Sequence, residues 1–251
     1  MKDIHFNRSF MKADYDSWVN PTPSDQVKGM PAPPLQREPA PESALISLPT
    51  ESRLAVKNND FYEILTQRRS LRQYADTALT LEELSLLLEV TYRTQKIVGD
   101  NVASFRPSPS GGARHALEIY IAVQNVEGLD PGIYHYLPLS HQLECITKAT
   151  DLEEQIIDSV YGQKFAGSAP AVFYWAAVPY RTEWRYGLKS HKVILLDLGH
   201  VAENLYLACE AIDAGACAIA SYNQEKCDRL LKIDGEDEFV AYVMPVGKKR
   251  V

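Results

Sequence analysis

The sequence lacks several features that mark common protein classes. No apolar run approaches the roughly eighteen residues that a membrane span requires. Acidic residues outnumber basic ones, 33 to 26, which gives a formal net charge of -7. Because nucleic acids and anionic membranes are bound through an excess of Lys and Arg, neither is an expected partner. The N-terminal stretch MKDIHFNRSFMKADYDSW mixes charged and apolar residues, so we do not interpret it as a secretory signal.

Reactive-residue motifs are also scarce. The four cysteines show no CxxC pair and no zinc-like spacing, so we expect them to be reduced and buried in a cytoplasmic protein. They are Cys145, Cys209, Cys217 and Cys227. No GxGxxG motif or Ser-His-Asp order supports a Rossmann enzyme or a hydrolase. His191 and His200 fall on opposite sides of a predicted helix, so no metal site is expected there.

What the N-terminal part does contain is proline. Eight of the 15 prolines lie from Pro21 to Pro49. This predicts an extended segment that lacks many of the backbone N–H groups that pair strands in a sheet. The segment is nevertheless more apolar than a disordered tail usually is. We therefore predict that residues 1–57 form an arm packed on the core or on a second subunit, and that residues 58–251 form the domain. The apolar arm residues are Phe6, Phe10, Tyr15, Trp18, Leu35, Leu45, Ile46 and Leu48.

The rest of the chain reads as interleaved helices and strands. A helix is predicted from Asp60 to near Arg72, and Thr80 with Glu83 forms a capping box that begins another helix reaching about Gln95. Residues 98–117 are predicted to be loop. Further strands are expected at 118–123, 128–136, 143–146, 169–178, 216–221 and 239–246, and helices at 151–161, 183–214 and 224–231. An early antiparallel hairpin makes the predicted class α+β with a mixed sheet.

The helix predicted at 183–214 is unusual in length and composition. Residues 193–212 are apolar nearly all round, which predicts a central helix buried on every side. Gly215 stands where a C-cap glycine belongs. Asp197, Glu203 and Glu210 on this helix are interpreted as interface or polar-network groups.

Three polar patches suit a phosphate or a flat polar ligand. In Arg68-Arg69-Ser70-Leu71-Arg72, a helix would place Arg68 and Arg72 on one face, where their paired donors match phosphate oxygens. The loop 107–113 has two adjacent glycines whose backbone N–H groups can cradle a ligand. The third patch is the basic stretch 247–250. Each alone is also compatible with an ordinary solvated surface.

Several motifs in order along the chain resemble one enzyme family. RRSLRQY followed by LTLEELSLLLEVTY resembles the opening of the nitroreductase superfamily of FMN enzymes. PSPSGGARHALEIYIAV, VEGLDPGIYHYLPLSHQLECI, LLDLGHVAENLYLACEAIDAGACAIASYN and DEFVAYVMPVG resemble its SagB-type branch, named for peptide-modifying dehydrogenases that oxidise azolines to azoles. The similarity, which begins near residue 24 with SDQVKGMPAPP, is specific for the family but does not define the substrate.

The resemblance implies an α+β homodimer with FMN at the subunit interface and the long helix as its dimer-forming element. The sheet would be mainly antiparallel and flanked by helices. The FMN phosphate and ribityl chain would be held by Arg68, Arg69, Ser70 and Arg72. The partner subunit would line the flavin with Pro109, Ser110 and Gly111. The isoalloxazine edge would run along Ile219, Ala220 and Ser221. Further phosphate contact would come from Lys248, Lys249 and Arg250.

Two positions depart from patterns in related enzymes. Many nitroreductases have a glutamate near the flavin edge that assists nicotinamide binding, and the matching residue here is Ala220. Azoline dehydrogenases have a Lys-Tyr pair before the long helix, where this chain has Arg185 and Tyr186. Arginine stays protonated, so Arg185 can orient a substrate but cannot act as a neutral base, whereas Tyr186 can donate or accept a proton. The alternative is that both are structural.

We therefore expect an FMN-dependent oxidoreductase that moves a hydride through flavin N5 to or from a small organic substrate, with NADPH or NADH as a candidate electron donor. Azoline dehydrogenation on a peptide is the second interpretation. A non-catalytic flavin-binding partner protein is the third.

Overall fold

The computed structural model describes residues 4–13 and 22–250. Tyr15 and Trp18 of the predicted arm lie outside these residues. The helices are α1 (Ile4–Met11), α2 (Phe61–Gln67), α3 (Leu81–Tyr92), α4 (Leu152–Ser159), α5 (Lys164–Gly167), α6 (Tyr180–Tyr186), α7 (Ser190–Glu210) and α8 (Gln224–Leu231). The strands are β1 (Leu45–Ser47), β2 (Lys96–Val98), β3 (Ala103–Phe105), β4 (Leu117–Val123), β5 (Gly132–Leu137), β6 (Gln142–Lys148), β7 (Ala171–Ala177), β8 (Ala214–Ala216) and β9 (Phe239–Lys248).

A seven-stranded sheet forms the centre of the molecule, in the order β1-β6-β5-β4-β7-β9-β8. Its strands pair antiparallel throughout, and the parallel pairs in the described chain are isolated bridges at Ser70–Ala216 and Leu79–Val126. The predicted α+β class and mainly antiparallel sheet are therefore confirmed. Strand β7 is buried along its whole length. Its sequence predicts this, because residues at both odd and even positions are apolar, as in a strand covered on both faces.

Helices cover both faces of this sheet. Because successive strand residues point to opposite faces, Ile119 packs into a layer with α3 and α7, whereas its neighbour Tyr120 packs into a layer with α4 and α8. The sheet thus lies between two helical layers.

The predicted capping box at the start of α3 is present, with both of its hydrogen bonds. Glu83 N–H donates to Thr80 Oγ1 and Thr80 N–H donates to Glu83 Oε2, each at 3.1 Å.

The helix prediction across residues 60–72 is wrong at its C-terminal end. Helix α2 stops at Gln67, and Arg68 turns into extended backbone with ψ 125°. The following residues run beside β8, where Leu71 N–H donates to the carbonyl of Ala216 at 2.8 Å. Pairing with a distant strand thus overrides the local helical pattern, and the argument that Arg68 and Arg72 share a helix face fails.

The single long helix is also a wrong prediction. It is broken at Gly187, whose φ of 54° and ψ of -131° do not fit a helix, and the chain restarts as α7 through a short 3-10 turn. Helix α7 ends at Glu210, and the chain leaves it through Asp213 in the left-handed region, so Gly215 lies in β8 rather than at a C-cap. Within this chain α7 is not buried all round, because Leu195 and Leu196 are 52% and 56% exposed.

Two further corrections concern residues 92–117. Helix α3 ends at Tyr92 rather than near Gln95, whose N–H instead donates to the carbonyl of Phe105 at 2.8 Å. The stretch predicted to be all loop contains β3 and the last residue of β2, and these two strands form an antiparallel hairpin. Both strands are three residues long, which is too short to show a period in the sequence.

The segment from residue 22 to the start of α2 packs on the core of its own chain. Leu35 and Leu48 are buried, and β1 pairs with β6 at the sheet edge. Beside Leu35, the segment donates backbone N–H groups of Arg37 and Ala40 to the carboxylates of Glu118 and Glu144.

The four cysteines are free; Cys145 is half-buried and the other three are buried. Within residues 4–13 and 22–250, no helix is long and apolar enough to span a membrane.

Candidate functional site

The exposed end of the Arg68–Arg72 segment lies against aromatic rings. The guanidinium of Arg68 sits over the Tyr206 ring at 5.1 Å, and that of Arg72 over the Phe165 ring at 5.8 Å. The hydroxyl of Ser70 is 3.3 Å from Tyr206 Oη. In extended backbone, alternate residues point the same way, so Arg68, Ser70 and Arg72 share a face although no helix carries them.

This arginine patch, defined as Arg68, Arg69, Ser70 and Arg72, has no carboxylate partner in the described chain. None of its arginines makes a salt bridge to a described Asp or Glu, and Arg69 instead donates to the carbonyls of Thr66 and Arg68. Arg69, Ser70 and Arg72 are exposed and Arg68 is half-buried. In a chain of net charge -7, such a cluster of unpaired cations is a ready site for a small anion.

Tyr206 joins the arginine patch to a second predicted site segment. Its hydroxyl accepts the backbone N–H of Ala218 at 2.7 Å while it contacts Ser70. The chain then passes buried Ile219, which bridges to Val243, and emerges at exposed Ala220 and Ser221. No described residue accepts a hydrogen bond from the N–H groups of Ala220 and Ser221. These two donors belong to exposed residues that follow Ala218, which Tyr206 links to Ser70.

The glycine loop, residues 107–113, lies against α7. The carboxylate of Asp197 accepts the Ser110 hydroxyl at 2.6 Å and the Gly111 N–H at 3.1 and 3.2 Å. A Cβ on Gly111 would overlap Val193 of the same helix. Because Asp197 takes the Gly111 N–H, the prediction that the glycine N–H groups cradle a ligand is wrong at this position. The exposed residue of the loop is Pro109.

Arg185 and Tyr186 hold the other side of the glycine loop. Arg185 donates from Nη1 to the Gly112 carbonyl at 2.7 Å, from Nη2 to the Val102 carbonyl at 3.2 Å, and from Nε to Gln26 Oε1 at 3.1 Å. Gly112 has φ 62°, and an added Cβ would overlap Tyr186 Oη. Arg185 is thus a link between the arm, the β2–β3 hairpin and the loop.

The two C-terminal lysines bind carboxylates of the fold. Lys248 is buried, and its ammonium donates to Glu83 Oε1 at 2.7 Å and to the carbonyl of Ile212. Lys249 pairs with Glu210. Arg250 donates from Nε to the carbonyl of Tyr74 at 2.8 Å. A phosphate would therefore have to compete with Glu83 and Glu210 for the ammonium groups of Lys248 and Lys249.

One chain does not bring the glycine loop and the arginine patch together. Their anchors, Asp197 and Tyr206, are nine residues apart on α7. That spacing corresponds to about 13 Å along the axis and about 900° of rotation, so the two side chains leave opposite sides of the helix. Each chain therefore carries two separate candidate half-sites on one helix.

Two histidines near these regions differ in exposure. His200 is exposed on α7. His115 is buried under the loop, and burial with the nearby charge of Arg106 lowers its pKa to about 3. No group of three or more metal-ligating side chains occurs in the described part of the chain.

Sequence reasoning missed the part played by two residues. Tyr206 organises the arginine patch, and Asp197, expected only as a general polar-network group, holds the glycine loop. An aspartate and a tyrosine within an apolar helical run were the only available signals.

Comparison with known proteins defines the class. The sequence model of the nitroreductase family matches residues 65–248. Protein MJ1384 of Methanocaldococcus jannaschii, named as a nitroreductase, is 33% identical over 187 residues, which are 74% of this chain and 90% of that protein. The chain belongs to the nitroreductase family, whose members are oxidoreductases.

A second relative is named as a processing protein. The trifolitoxin-processing protein TfxB of Rhizobium leguminosarum is 31% identical over 130 residues, which are 50% of this chain but only 35% of TfxB. This match supports the SagB-type branch of the family.

Solved structures share the fold. A crystal structure from Anabaena variabilis, named as a nitroreductase, is 27% identical with a TM-score of 0.69 and covers 84% of this chain and 42% of that chain. A chain of the Escherichia coli microcin synthetase McbBCD complex with truncated pro-MccB17 bound is 17% identical with a TM-score of 0.61, covering 98% and 93%.

Proposed function

We propose that this protein is an FMN-dependent oxidoreductase that moves a hydride to or from a small organic substrate. The observation that carries the proposal is the arginine patch, which has no carboxylate partner among the described residues. Tyr206 links this patch to Ala218, which is followed by the exposed residues Ala220 and Ser221. A dianionic phosphate needs cations that the fold has not already neutralised. Bound FMN would supply hydride acceptance and donation at its N5 atom.

The residues divide into three roles. The arginine patch binds the phosphate and the ribityl chain. Ile219, Ala220 and Ser221 lie along the isoalloxazine edge, where a backbone N–H stabilises charge near N5. The ammonium groups of Lys248 and Lys249 bind the carboxylates of Glu83 and Glu210. We therefore assign these lysines no direct phosphate contact, only a contribution of positive charge near the edge of the sheet.

The site is completed by a second copy of the chain. Pro109, Ser110 and Gly111 contribute from the partner, because the two half-sites of one chain lie on opposite sides of α7. The exposed leucines of α7 supply apolar area for such an interface. We further propose that residues 1–57 are an arm on the core and that residues 58–251 form the FMN domain. The described part of the arm contacts α6 where Gln26 N–H donates to the carbonyl of Trp184 at 2.8 Å.

Within the completed site, Tyr186 is the candidate for proton transfer. It stands at the end of α6 against Gly112, where it can hold or release a proton toward a substrate placed over the flavin. Arg185 supports this position through its bonds to the loop, so we assign it an orienting role.

A second candidate function is azoline dehydrogenation on a peptide. It is favoured by the likeness to TfxB, a processing protein, and by Ala220 standing where a nicotinamide-assisting glutamate would be expected. A flavin-binding partner without turnover is the third candidate.

The test is the visible spectrum of the purified, FMN-loaded protein before and after anaerobic addition of NADPH or NADH. Bleaching identifies a reductase that takes electrons from a nicotinamide. A yellow protein that does not bleach directs the search to peptide azolines as reductants, and a protein that neither azolines nor nicotinamides reduce is the non-catalytic partner. A colourless protein that cannot be loaded with FMN overturns the proposal.

Tyr186→Phe separates proton transfer from cofactor binding. The variant should keep its FMN, because the phosphate contacts are elsewhere, and lose about a hundredfold in turnover with the substrate that the spectral test identifies. Turnover equal to that of the unchanged protein would make Tyr186 a structural residue.

A further inference from the structure

The carboxylate of Asp197 is an unusual group for the interior of this molecule. It is 6% exposed, and no described Lys, Arg or His lies within salt-bridge distance of it. Burial raises its pKa, and the donors of Ser110 and Gly111, followed by the charge of His200, oppose that rise. A buried carboxylate without an ion-pair partner destabilises a fold unless hydrogen bonds compensate, and here both hydrogen-bond donors come from the glycine loop.

The glycine loop needs such an anchor because its backbone is strained. Gly112, Ala113 and His115 have φ values of 62°, 52° and 48°. The left-handed region is unfavourable for Ala and His, so the surroundings must impose it. Ser110 supplies the connection: its hydroxyl donates to Asp197 and accepts the His115 N–H at 3.0 Å.

Helix α7 carries both Asp197, which holds the glycine loop, and Tyr206, which contacts the arginine patch. The helix is uninterrupted between these two residues. A helix has a fixed rise per residue, so the distance from the loop to the patch is set by the fold rather than by the loop's own flexibility.

We infer that Asp197 is a positioning residue that locks the glycine loop to α7 and so fixes where the loop meets the isoalloxazine ring held by the partner subunit. This inference rests on the proposed FMN function. Asp197 does not touch the cofactor; it acts through Ser110 and Gly111. Loss of the carboxylate should free the loop and change the surroundings of the ring while leaving the phosphate contacts in place.

The experiment compares Asp197→Asn, Ser110→Ala and the double variant. The matched control is Asp228→Asn, because Asp228 is also buried and also accepts a backbone N–H, that of Val240 at 2.7 Å, on the opposite helical layer. Amide hydrogen exchange of residues 108–115 is measured in the apoprotein. The reduction potential and visible spectrum of bound FMN are measured in the loaded protein.

In the apoprotein, Asp197→Asn should speed exchange of the loop amides about tenfold or more, since hydrogen bonds to a charged group are lost, whereas Asp228→Asn leaves that segment unchanged. In the loaded protein, Asp197→Asn and Ser110→Ala should shift the flavin spectrum and potential in the same direction. The double variant should add little to either single change, because both remove the same connection.

Two outcomes would overturn the inference: loop exchange equal to that of the control, or additive effects of Asp197→Asn and Ser110→Ala on the flavin potential. If Asp197→Asn fails to fold, Ser110→Ala alone must reproduce the faster exchange and the spectral shift. If the unchanged protein does not take up FMN, the proposed function fails, and the apoprotein exchange result still decides whether Asp197 holds the loop.

Discussion

Two arginine-containing regions of this molecule use the same side chain in opposite ways. Arg181 is 3% exposed, pairs with Glu118, and donates from Nε to the Pro34 carbonyl at 2.9 Å. Glu118 in turn lies 2.8 Å from His135 Nε2. The arginine patch, by contrast, is mostly exposed and has no described carboxylate partner. The first region is internally satisfied, and the second is open to an external anion.

This difference shows that the role of an arginine, structural or ligand-binding, depends on whether the fold supplies it with a carboxylate partner. A buried guanidinium must be paired, because an isolated buried charge is costly. An exposed one costs the fold little, so it can be held ready for a ligand. The following changes test this contrast.

The largest effect is expected from Arg68→Ala with Arg72→Ala. Loss of two charge-assisted phosphate contacts should weaken FMN binding about a thousandfold, or about 4 kcal/mol. Stability of the apoprotein should hardly change, because neither residue supports the fold through an ion pair. FMN titration of the apoprotein measures the affinity. Arg229→Ala, which removes an exposed arginine on α8, is the control, and equal affinity in the two proteins would rule out the phosphate assignment.

The opposite pattern is expected from Glu118→Gln in the buried region. Removing one partner of a buried ion pair should lower the free energy of unfolding by about 3 kcal/mol, while the FMN affinity of the folded protein stays the same. Urea unfolding of the apoprotein checks the first part. Glu225→Gln, in an exposed pair with Arg229, should change stability by less than about 0.5 kcal/mol. A stability loss no larger in Glu118→Gln than in Glu225→Gln would show that the buried pair is not structural.

The smallest effect is the pH dependence of the buried region. Burial alone would raise the pKa of Glu144, but bonds from His135, Ala40 and Ser43 lower it to about 2. Its contribution is therefore present above pH 4.5 and is lost as the pH falls from about 4.5 to 2. Burial alone would lower the pKa of His135, but Glu118 reverses this and leaves it raised. That contribution is present below pH 6.5 and is lost as the pH rises through the raised value.

Unfolding free energies measured from pH 2.5 to 9 should therefore decline on both sides of a maximum near pH 5 to 6. The alkaline decline should be weaker in Glu118→Gln, which removes the main cause of the raised His135 pKa. An unaltered alkaline decline in that variant would assign the dependence to other groups.

Local signals made part of this fold predictable. The capping box at Thr80 lies within four residues, and the apolar runs of β4 and β7 need only their own composition to be read as buried strands. The break at Gly187 was not predictable, because a single glycine inside a helical pattern is usually tolerated.

The candidate site was predictable in residue type but not in geometry. The extended form of the arginine patch depends on Ala216, a partner far along the chain. The role of Asp197 depends on Ser110, which is 87 residues away. Such pairings arise from the tertiary fold, and local patterning does not contain them.

The most direct test of the account compares FMN with riboflavin, which has the same ring and ribityl chain without the phosphate. Calorimetric titration of the apoprotein with each compound isolates the phosphate contribution. We predict that FMN binds at least about a hundredfold more tightly, because the arginine patch has no carboxylate partner among residues 4–13 and 22–250. Equal affinities would contradict the claim that this patch is the phosphate subsite of a flavin site.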